Sequence, residues 1–374
     1  MRKKKILVTS TDLMMIQFLV PHVIHVSQNG YEVEIACSDV GGRMKEVRDA
    51  LKGTVQNIHV VRLVRSPASA KNLQGYRDMK AIFSKNHYDI VWTNEPVMGV
   101  VTRLAANRAR KKGTKVLYMT HGFHFFDGAP KANWIIYYPI EKYMSRLTDM
   151  IVTINHEDYE RAKKFHAKDV RYIHGIGVNT DRLQINELHT NIREELNLPE
   201  TAMLVLSAGE LNPNKNHQVI IQALSLLQDE TVHYIICGKG ELLNQLRELA
   251  KGKGVADQVH FLGYRKDVVE ICAQADVFVF PSHREGLGLA PLEAMYSGLP
   301  LVTSAIRGPK DFMEDGKTGF MCEPDDAETF MRAIKSLKED ILLREKCGKY
   351  NKEVVKPFML DGVKKEIYEI IEEM

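Results

Sequence analysis

The sequence predicts an α/β chain built as two doubly wound units, and three observations carry that prediction. Short apolar runs alternate with helical patterns along all 374 residues, as strands and their covering helices do in a parallel sheet. That length suits two domains rather than one. A composition of 44% hydrophobic and 26% charged residues is that of an ordinary globular protein.

In the first half, KKILVTS reads as the first strand. LMMIQFLVPHVIHVSQNG reads as a helix closing near Gly30, with Pro21 as an irregularity inside it. YEVEIACS alternates like a half-buried strand, residues 41–53 form a helix stopped by Gly53, and VQNIHVVRL is the third strand. Residues 68–86 are helical and carry basic side chains. YDIVWTN, TKVLYMTHG, DMIVTIN and VRYIHGIGVN follow as strands. The pattern is that of a Rossmann-like unit, but its first turn, TSTDLMM, lacks the glycines of a dinucleotide fingerprint, which argues against NAD or FAD.

Residues 189–202, HTNIREELNLPETA, read as a polar linker into the second unit. There AMLVLSAGEL, VHYIICGKG and QVHFLGY are strands, each followed by a helix: NKNHQVIIQALSLL, ELLNQLRELAKGKG and DVVEICAQA. MCEPDDAETFMRAIKSL reads as a loop and then a helix with Asp325 or Asp326 as its N-cap. DGVKKEIYEIIEEM closes the chain as an amphipathic helix.

Five scattered cysteines with no C-x-x-C pair argue against a disulfide framework or a zinc site and fit a reducing cytoplasm. No apolar run is long enough to span a bilayer, and the apolar residues 6–8 are too few for a signal peptide. The net charge of +3 conceals an asymmetry. Residues 1–175 hold 28 Lys and Arg against 16 Asp and Glu, so they are strongly basic and the remainder is acidic. A basic first half points to an anionic partner such as a membrane surface. The nucleic-acid motifs are missing: no zinc-finger spacing, aromatic RNP-like run or helix-turn-helix is present.

Chemistry concentrates in residues 277–304, VFVFPSHREGLGLAPLEAMYSGLPLVTS. An apolar strand runs into a loop with Gly286 and Gly288. A short helix follows, with Pro291 early and Gly298 as its stop, and then a second strand. Strand, glycine loop and helix suit phosphate, because unpaired amides and the positive end of the helix dipole point the same way. Glu285 in the loop and Glu293 in the expected first helical turn bracket this site, with seven residues between them. A second strand–turn–helix, SAGELNPNKNHQVIIQAL, has Gly209 at the turn and Lys215 near the helix start, where an ammonium can neutralise a diphosphate. CGKG, with Gly238, ends the next strand.

The E-x7-E pattern in EGLGLAPLEAMYSGLP resembles the donor-site signature of retaining glycosyltransferases of family four. The resemblance covers nearly the whole chain and is strongest at 263–304. It implies the GT-B fold, two Rossmann-like domains facing a central cleft. On that basis an acceptor-binding domain is expected over 1–178, with the terminal helix 357–374 packing back on it, and a donor-binding domain over 179–356. The implied reaction is transfer with retention from a nucleotide-diphospho-sugar, most often a UDP-sugar, with no metal and no cofactor. Catalytic roles fall on Glu285, Lys215 and His121, the last at the end of the strand in YMTHGFHFF. Donor contacts fall on Gly209, Glu210, Lys215, Gly238, Tyr264, Arg265, His283, Arg284, Gly286, Leu287, Gly288, Leu289 and Glu293. Glu285 would grip sugar hydroxyls and Glu293 the ribose. His124, Phe125 and Trp134 are the expected acceptor-site residues.

One departure stands out. The family carries an Arg before the Lys on the diphosphate, and this chain has Glu210 there. Arg284 and Lys310 are the candidate replacements. HGFHFF and the aromatic helix after it look like bacterial enzymes that build capsule or exopolysaccharide on a polyprenyl-diphosphate lipid. The basic first half, the stretch 103–115 and the aromatic–basic segment 131–149 agree with such an acceptor and with a protein held peripherally on the inner face of the cell membrane. Two other readings use the same residues: a nucleotide-sugar epimerase of the same fold, and a non-catalytic sugar-nucleotide-binding subunit of a polysaccharide complex. A P-loop is excluded because Asp311 stands where its first Gly is needed, and neither D-x-D nor G-x-S-x-G occurs.

Overall fold

The computed structural model describes residues 2–40, 42, 44–185 and 187–374, the side chain of Met14 excepted. The chain divides into two compact units, Met1–Gly177 with Leu360–Met374, and Val178–Met359. Gly41 and Arg43, at the start of the expected helix 41–53, lie outside the described residues.

In the first unit, strands and helices alternate in order: β1 (Lys5–Thr9), α1 (Leu13–Gln28), β2 (Glu32–Cys37), α2 (Met44–Ala50), β3 (Val55–Val60), α3 (Lys71–Lys85) and β4 (Ile90–Asn94). Then come α4 (Pro96–Ala105), α5 (Asn107–Arg110), β5 (Lys115–Thr120), α6 (Lys131–Met144), β6 (Met150–Thr153), α7 (His156–Ala162) and β7 (Asp169–Tyr172). The seven strands form one sheet in the order β3-β2-β1-β4-β5-β6-β7, parallel throughout. β1, β4 and β5 are buried along almost their whole length, which is why they read as continuous apolar runs rather than alternating ones. Pro21 stays inside α1 without ending it.

The second unit begins with α8 (Ile192–Glu195), whose N-cap Asn191 accepts from Glu194 N. Residues 189–202 therefore belong to this unit and include structure of their own. β8 (Met203–Ala208), α9 (His217–Leu227), β9 (Val232–Cys237), α10 (Leu243–Gly252), β10 (Val259–Gly263), α11 (Val268–Cys272) and β11 (Val277–Phe280) follow. α12 (Leu289–Tyr296), β12 (Leu301–Ser304), β13 (Gly319–Cys322), α13 (Ala327–Glu339) and α14 (Ile341–Val354) complete the unit. Its sheet is again parallel, in the order β10-β9-β8-β11-β12-β13. Met321 and Cys322, expected in a loop, lie in the edge strand β13, held by pairing with β12. Asp326 rather than Asp325 caps α13, accepting from Glu328 N and Thr329 N. The last helix, α15 (Leu360–Glu372), packs on α1 in the first unit, its apolar stripe of Val363, Ile367, Ile370 and Ile371 buried.

Both sheets reverse strand order once, at β1/β4 in the first unit and at β8/β11 in the second. In open α/β sheets the crevice outside the carboxyl ends of such a strand pair is where ligands bind. The residues with the strongest chemical signature lie at these two places.

Candidate functional site

In the second unit, two loops leave the carboxyl ends of β8 and β11. The first turns at Gly209 and winds into a 3-10 turn over Pro213–Lys215, fixed by the Asn212 side chain accepting from Lys215 N at 3.1 Å. The second runs from Pro281 to Gly288. They are stapled together: His283 N donates to the Asn214 carbonyl at 2.8 Å, and Asn214 Nδ2 donates to the Arg284 carbonyl at 3.0 Å. His283 also contacts the Pro213 carbonyl and Asp325. This register brings Lys215 Nζ to 2.6 Å from Glu285 Oε1 and 4.7 Å from the centroid of the Phe280 ring. Both partners are largely sheltered, which strengthens their attraction relative to an exposed pair.

Glycines make room for this arrangement. A Cβ on Gly238 would lie 1.7 Å from the Gly209 carbonyl oxygen, so β8 and β9 can end side by side only with Gly there. Gly288 has φ +99°, and a Cβ would meet the Phe280 ring at 2.9 Å. No side chain caps the start of α12, so its positive end faces the loop of Glu285. Glu293 is the fifth residue of α12 rather than part of its first turn, so the helix dipole does not explain it. Burial raises its carboxyl above the ordinary range, partly opposed by Arg182. Leu287 is buried, and Leu289 opens the helix.

The remaining donor candidates separate. Glu210 is exposed and accepts from Asn212 Nδ2 at 2.9 Å. Tyr264 is 70% exposed after β10. Arg265 next to it is held by Asp267 and Glu195, which raise its pKa further. Arg284 and Lys310, considered as replacements for the missing Arg, are both exposed. The structure places a different cation at the loop. Arg307, 6% exposed, donates from Nε to the Glu285 carbonyl at 3.2 Å. The close approach of Gly308 to Leu287 brings it there: a Cβ on Gly308 would lie 2.9 Å from the Leu287 carbonyl oxygen. In the sequence the only trace is an Arg-Gly pair just after a strand.

In the first unit, His121 follows β5 and bonds through Nε2 to Asn94 Oδ1 at 3.0 Å, at the end of β4. Asn94 Nδ2 donates to the Thr9 carbonyl, which orients its amide oxygen toward the imidazole. Burial lowers the His121 pKa to about 4, helped by the nearby His22. The ring is therefore neutral near pH 7, with its proton on Nε2, and Nδ1 can accept from a hydroxyl. His22, almost fully buried, is also lowered to about 4 by burial, against the bond to the Ile176 carbonyl.

The acceptor candidates fare differently. Phe125 is fully buried, stacked on Phe123 at 4.7 Å and packed against Trp134, Tyr138 and Phe165, so it is a core residue with no surface to offer a ligand. His124 packs on Tyr137 at 4.7 Å, and Trp134 carries Arg161 at 4.9 Å from its ring. The basic stretch 103–115 is not uniformly a solvated face. Arg103 is fully buried, bonded to Glu141 at 2.8 Å and to the Gly99 carbonyl, and stacked 4.0 Å over Tyr118.

No helix among the described residues is long and apolar enough to cross a membrane. No group of three His, Cys, Asp or Glu among them could hold a metal ion.

Known proteins resemble the whole chain. The family profile described as Glycosyl transferases group 1 matches residues 189–354, and that described as Glycosyltransferase Family 4 matches residues 23–182. The Bacillus subtilis protein named "Putative glycosyltransferase EpsD" is 37% identical over 354 residues, 93% of this chain and 91% of its own. An Escherichia coli protein named UDP-Gal:alpha-D-GlcNAc-diphosphoundecaprenol alpha-1,3-galactosyltransferase is 27% identical over 84% of this chain and 81% of its own. The Anabaena HepE structure, in complex with UDP and glucose, superposes with a TM-score of 0.80 at 18% identity, over 99% of this chain and 100% of that one. Two parallel sheets with that superposition are the GT-B fold, and the matches across both units place the chain in glycosyltransferase family 4.

Proposed function

We propose that the protein transfers a sugar, with retention of anomeric configuration, from a UDP-sugar to a saccharide carried on a polyprenyl diphosphate, in the synthesis of a bacterial capsule or exopolysaccharide. The observation that carries the reading is the Lys215–Glu285 pair at the strand-order reversal of the second unit, beside the glycine-lined ends of β8 and β9 and the uncapped start of α12. The name of the E. coli relative supports the lipid-linked acceptor, that of the B. subtilis relative supports sugar transfer, and UDP in the Anabaena neighbour supports the donor.

In this reading the donor diphosphate competes for the Lys215 ammonium. Charge that develops on the leaving UDP is met by Lys215, Arg307 and the amides at the start of α12, and these donors need no rearrangement during the step. Glu285, released from Lys215, accepts hydrogen bonds from hydroxyls of the sugar, and Glu293 accepts from the ribose hydroxyls. Arg307 fills the electrostatic place left by Glu210. His121 accepts from a hydroxyl of the transferred sugar through its free ring nitrogen. The acceptor oxygen bonds to the anomeric carbon as the bond to UDP breaks, and the leaving phosphate takes the acceptor proton. The step uses side-chain and backbone donors and no metal, and the protein works on the inner face of the cell membrane.

The test is incubation of purified protein with a panel of nucleotide-sugars, with and without polyprenyl-diphosphate-sugar acceptors, in the presence and absence of EDTA. UDP release coupled to labelled lipid, unchanged by EDTA, is expected. Interconversion of the free UDP-sugar without acceptor would instead identify an epimerase. Binding without turnover across the panel would identify a non-catalytic subunit.

A further inference from the structure

Two cavities lie along the same pair of helices, α3 and α4, in the first unit. One, of about 560 Å³, is walled by Leu73 and Tyr76 of α3, Val100 and Leu104 of α4, and Ile136 and Ile140 of α6. It is open and apolar: Leu73 is 56% exposed and Ile136 53%. Its one carboxylate, Glu141, is neutralised by Arg103. The other, of about 470 Å³, is walled by Lys80 and Lys85 at the end of α3, His87, and Arg108 and Lys112 beyond α4. No carboxylate lines it, and among the described residues none of its lysines or its arginine is ion-paired. The two adjoin. Lys80 Nζ, in the cationic cavity, lies 5.6 Å from the ring centroid of Tyr76, in the apolar one, and the consecutive residues Leu104 and Ala105 line one each.

A single valley therefore runs from apolar to cationic along one helix pair. A largely apolar cavity of about 560 Å³ is of the size that holds a small ligand, and clustered unpaired cations favour an anion. A free phosphate would leave the apolar half unused, and a neutral hydrocarbon would leave the cations unused. The surface beyond the groove is that of an interfacial helix: α6 exposes Ile135 and Tyr143, with Arg146 over the Tyr143 ring and Lys142 over that of Tyr138.

We propose that this valley is a binding site for one anionic phospholipid of the bilayer, its phosphate between Lys80, Arg108 and Lys112 and an acyl chain along Leu73, Tyr76, Leu104 and Ile136. The proposal rests on the membrane location of the proposed function and is independent of its donor and acceptor. It makes α3, α4 and α6 the face that meets the membrane.

The experiment is sedimentation of the full chain with phosphatidylcholine vesicles, with and without phosphatidylglycerol, alongside transfer activity on a short-chain, detergent-free acceptor. Two variants are compared. Lys80→Gln with Arg108→Gln removes charge from the head-group end, and Leu73→Glu with Ile136→Glu spoils the chain end; all four residues are exposed, so the fold tolerates both. The wild type is expected to bind only the anionic vesicles, and each variant to bind them at least tenfold more weakly. Activity on the short-chain acceptor stays unchanged in both. Wild-type binding by either variant overturns the proposal. If only the charge variant loses binding, the site is one for a simple anion. If the wild type ignores anionic vesicles while transferring sugar normally, the lipid site is wrong and the transferase reading survives.

Discussion

Lys215 and Glu285 stand 70 residues apart in sequence, yet the ammonium lies 2.6 Å from the carboxylate. The pairing of β11 with β8 places them there, since each is carried on the loop that leaves one of these strands. Each member holds the other in place.

Glu285→Ala and Lys215→Ala are each expected to lower kcat/KM on the UDP-sugar by roughly 100-fold or more, as for donors lost from a transition state. The double variant should cost much less than the product of the two, because the residues act as a unit. Steady-state kinetics on the three variants check this, and near-wild-type rates in both singles would remove the site from consideration.

Arg307→Ala is expected to reduce kcat/KM by roughly 10- to 100-fold, whereas Arg284→Ala, at an exposed position, stays close to wild type. A melt of each variant separates lost chemistry from lost fold. Equal activities would return Arg284 to the list of cations that serve the diphosphate.

Gly238→Ala should destabilise the second unit by more than about 3 kcal/mol, the upper end of overpacking costs, since its Cβ would fall within 1.7 Å of a backbone oxygen. Gly252→Ala, with open space around it inside α10, should be neutral or stabilising. Urea unfolding of both variants measures the contrast.

Sheltered imidazoles contribute to the pH dependence of stability, His260, lowered to about 4, among them. Burial lowers His22, His121 and His217 from an ordinary 6.5 to about 4. Between those values the unfolded chain binds more protons than the folded one, so stability is complete above pH 6.5 and falls as the pH drops toward 4. Each group contributes a slope on the order of 1 kcal/mol per pH unit inside that window. Unfolding at pH 7.5, 5.5 and 4.5 should show the decline, and His217→Gln should flatten it. An unchanged slope in that variant would mean that His217 protonates freely in the folded state.

The buried Arg103–Glu141 pair gives the third stability test. Removing one partner, as in Glu141→Leu, leaves an uncompensated charge beside Tyr118 and should cost about 3–5 kcal/mol. Arg103→Met combined with Glu141→Leu should recover much of that loss. Thermal melts of the single and double variants decide it.

Much of the architecture was legible in the residues themselves. Hydrophobic periodicity is a local property, so the order of strands and helices, the stop at Gly298 and the glycine turns at Gly209 and Gly288 follow from short windows. Glu285, Glu293 and Lys215 stood out for the same reason, as residue types at a fixed spacing beside strand ends. Local windows said less where the elements were short or polar: β13 has four residues and takes its register from pairing with β12, and α8 sat inside what read as a linker. Burial was the larger gap, because it depends on what comes from elsewhere in the chain. Arg103 looked like surface charge until Glu141 met it, Phe125 looked like a ligand contact until Phe123 and Phe165 enclosed it, and Arg307 had no visible role until Gly308 brought it under Glu285. Local residue patterns establish which elements form and which side chains carry the chemistry. The tertiary structure alone decided which of them meet, because a charge or a ring acquires its role from partners that only the crossover connections of the two sheets deliver.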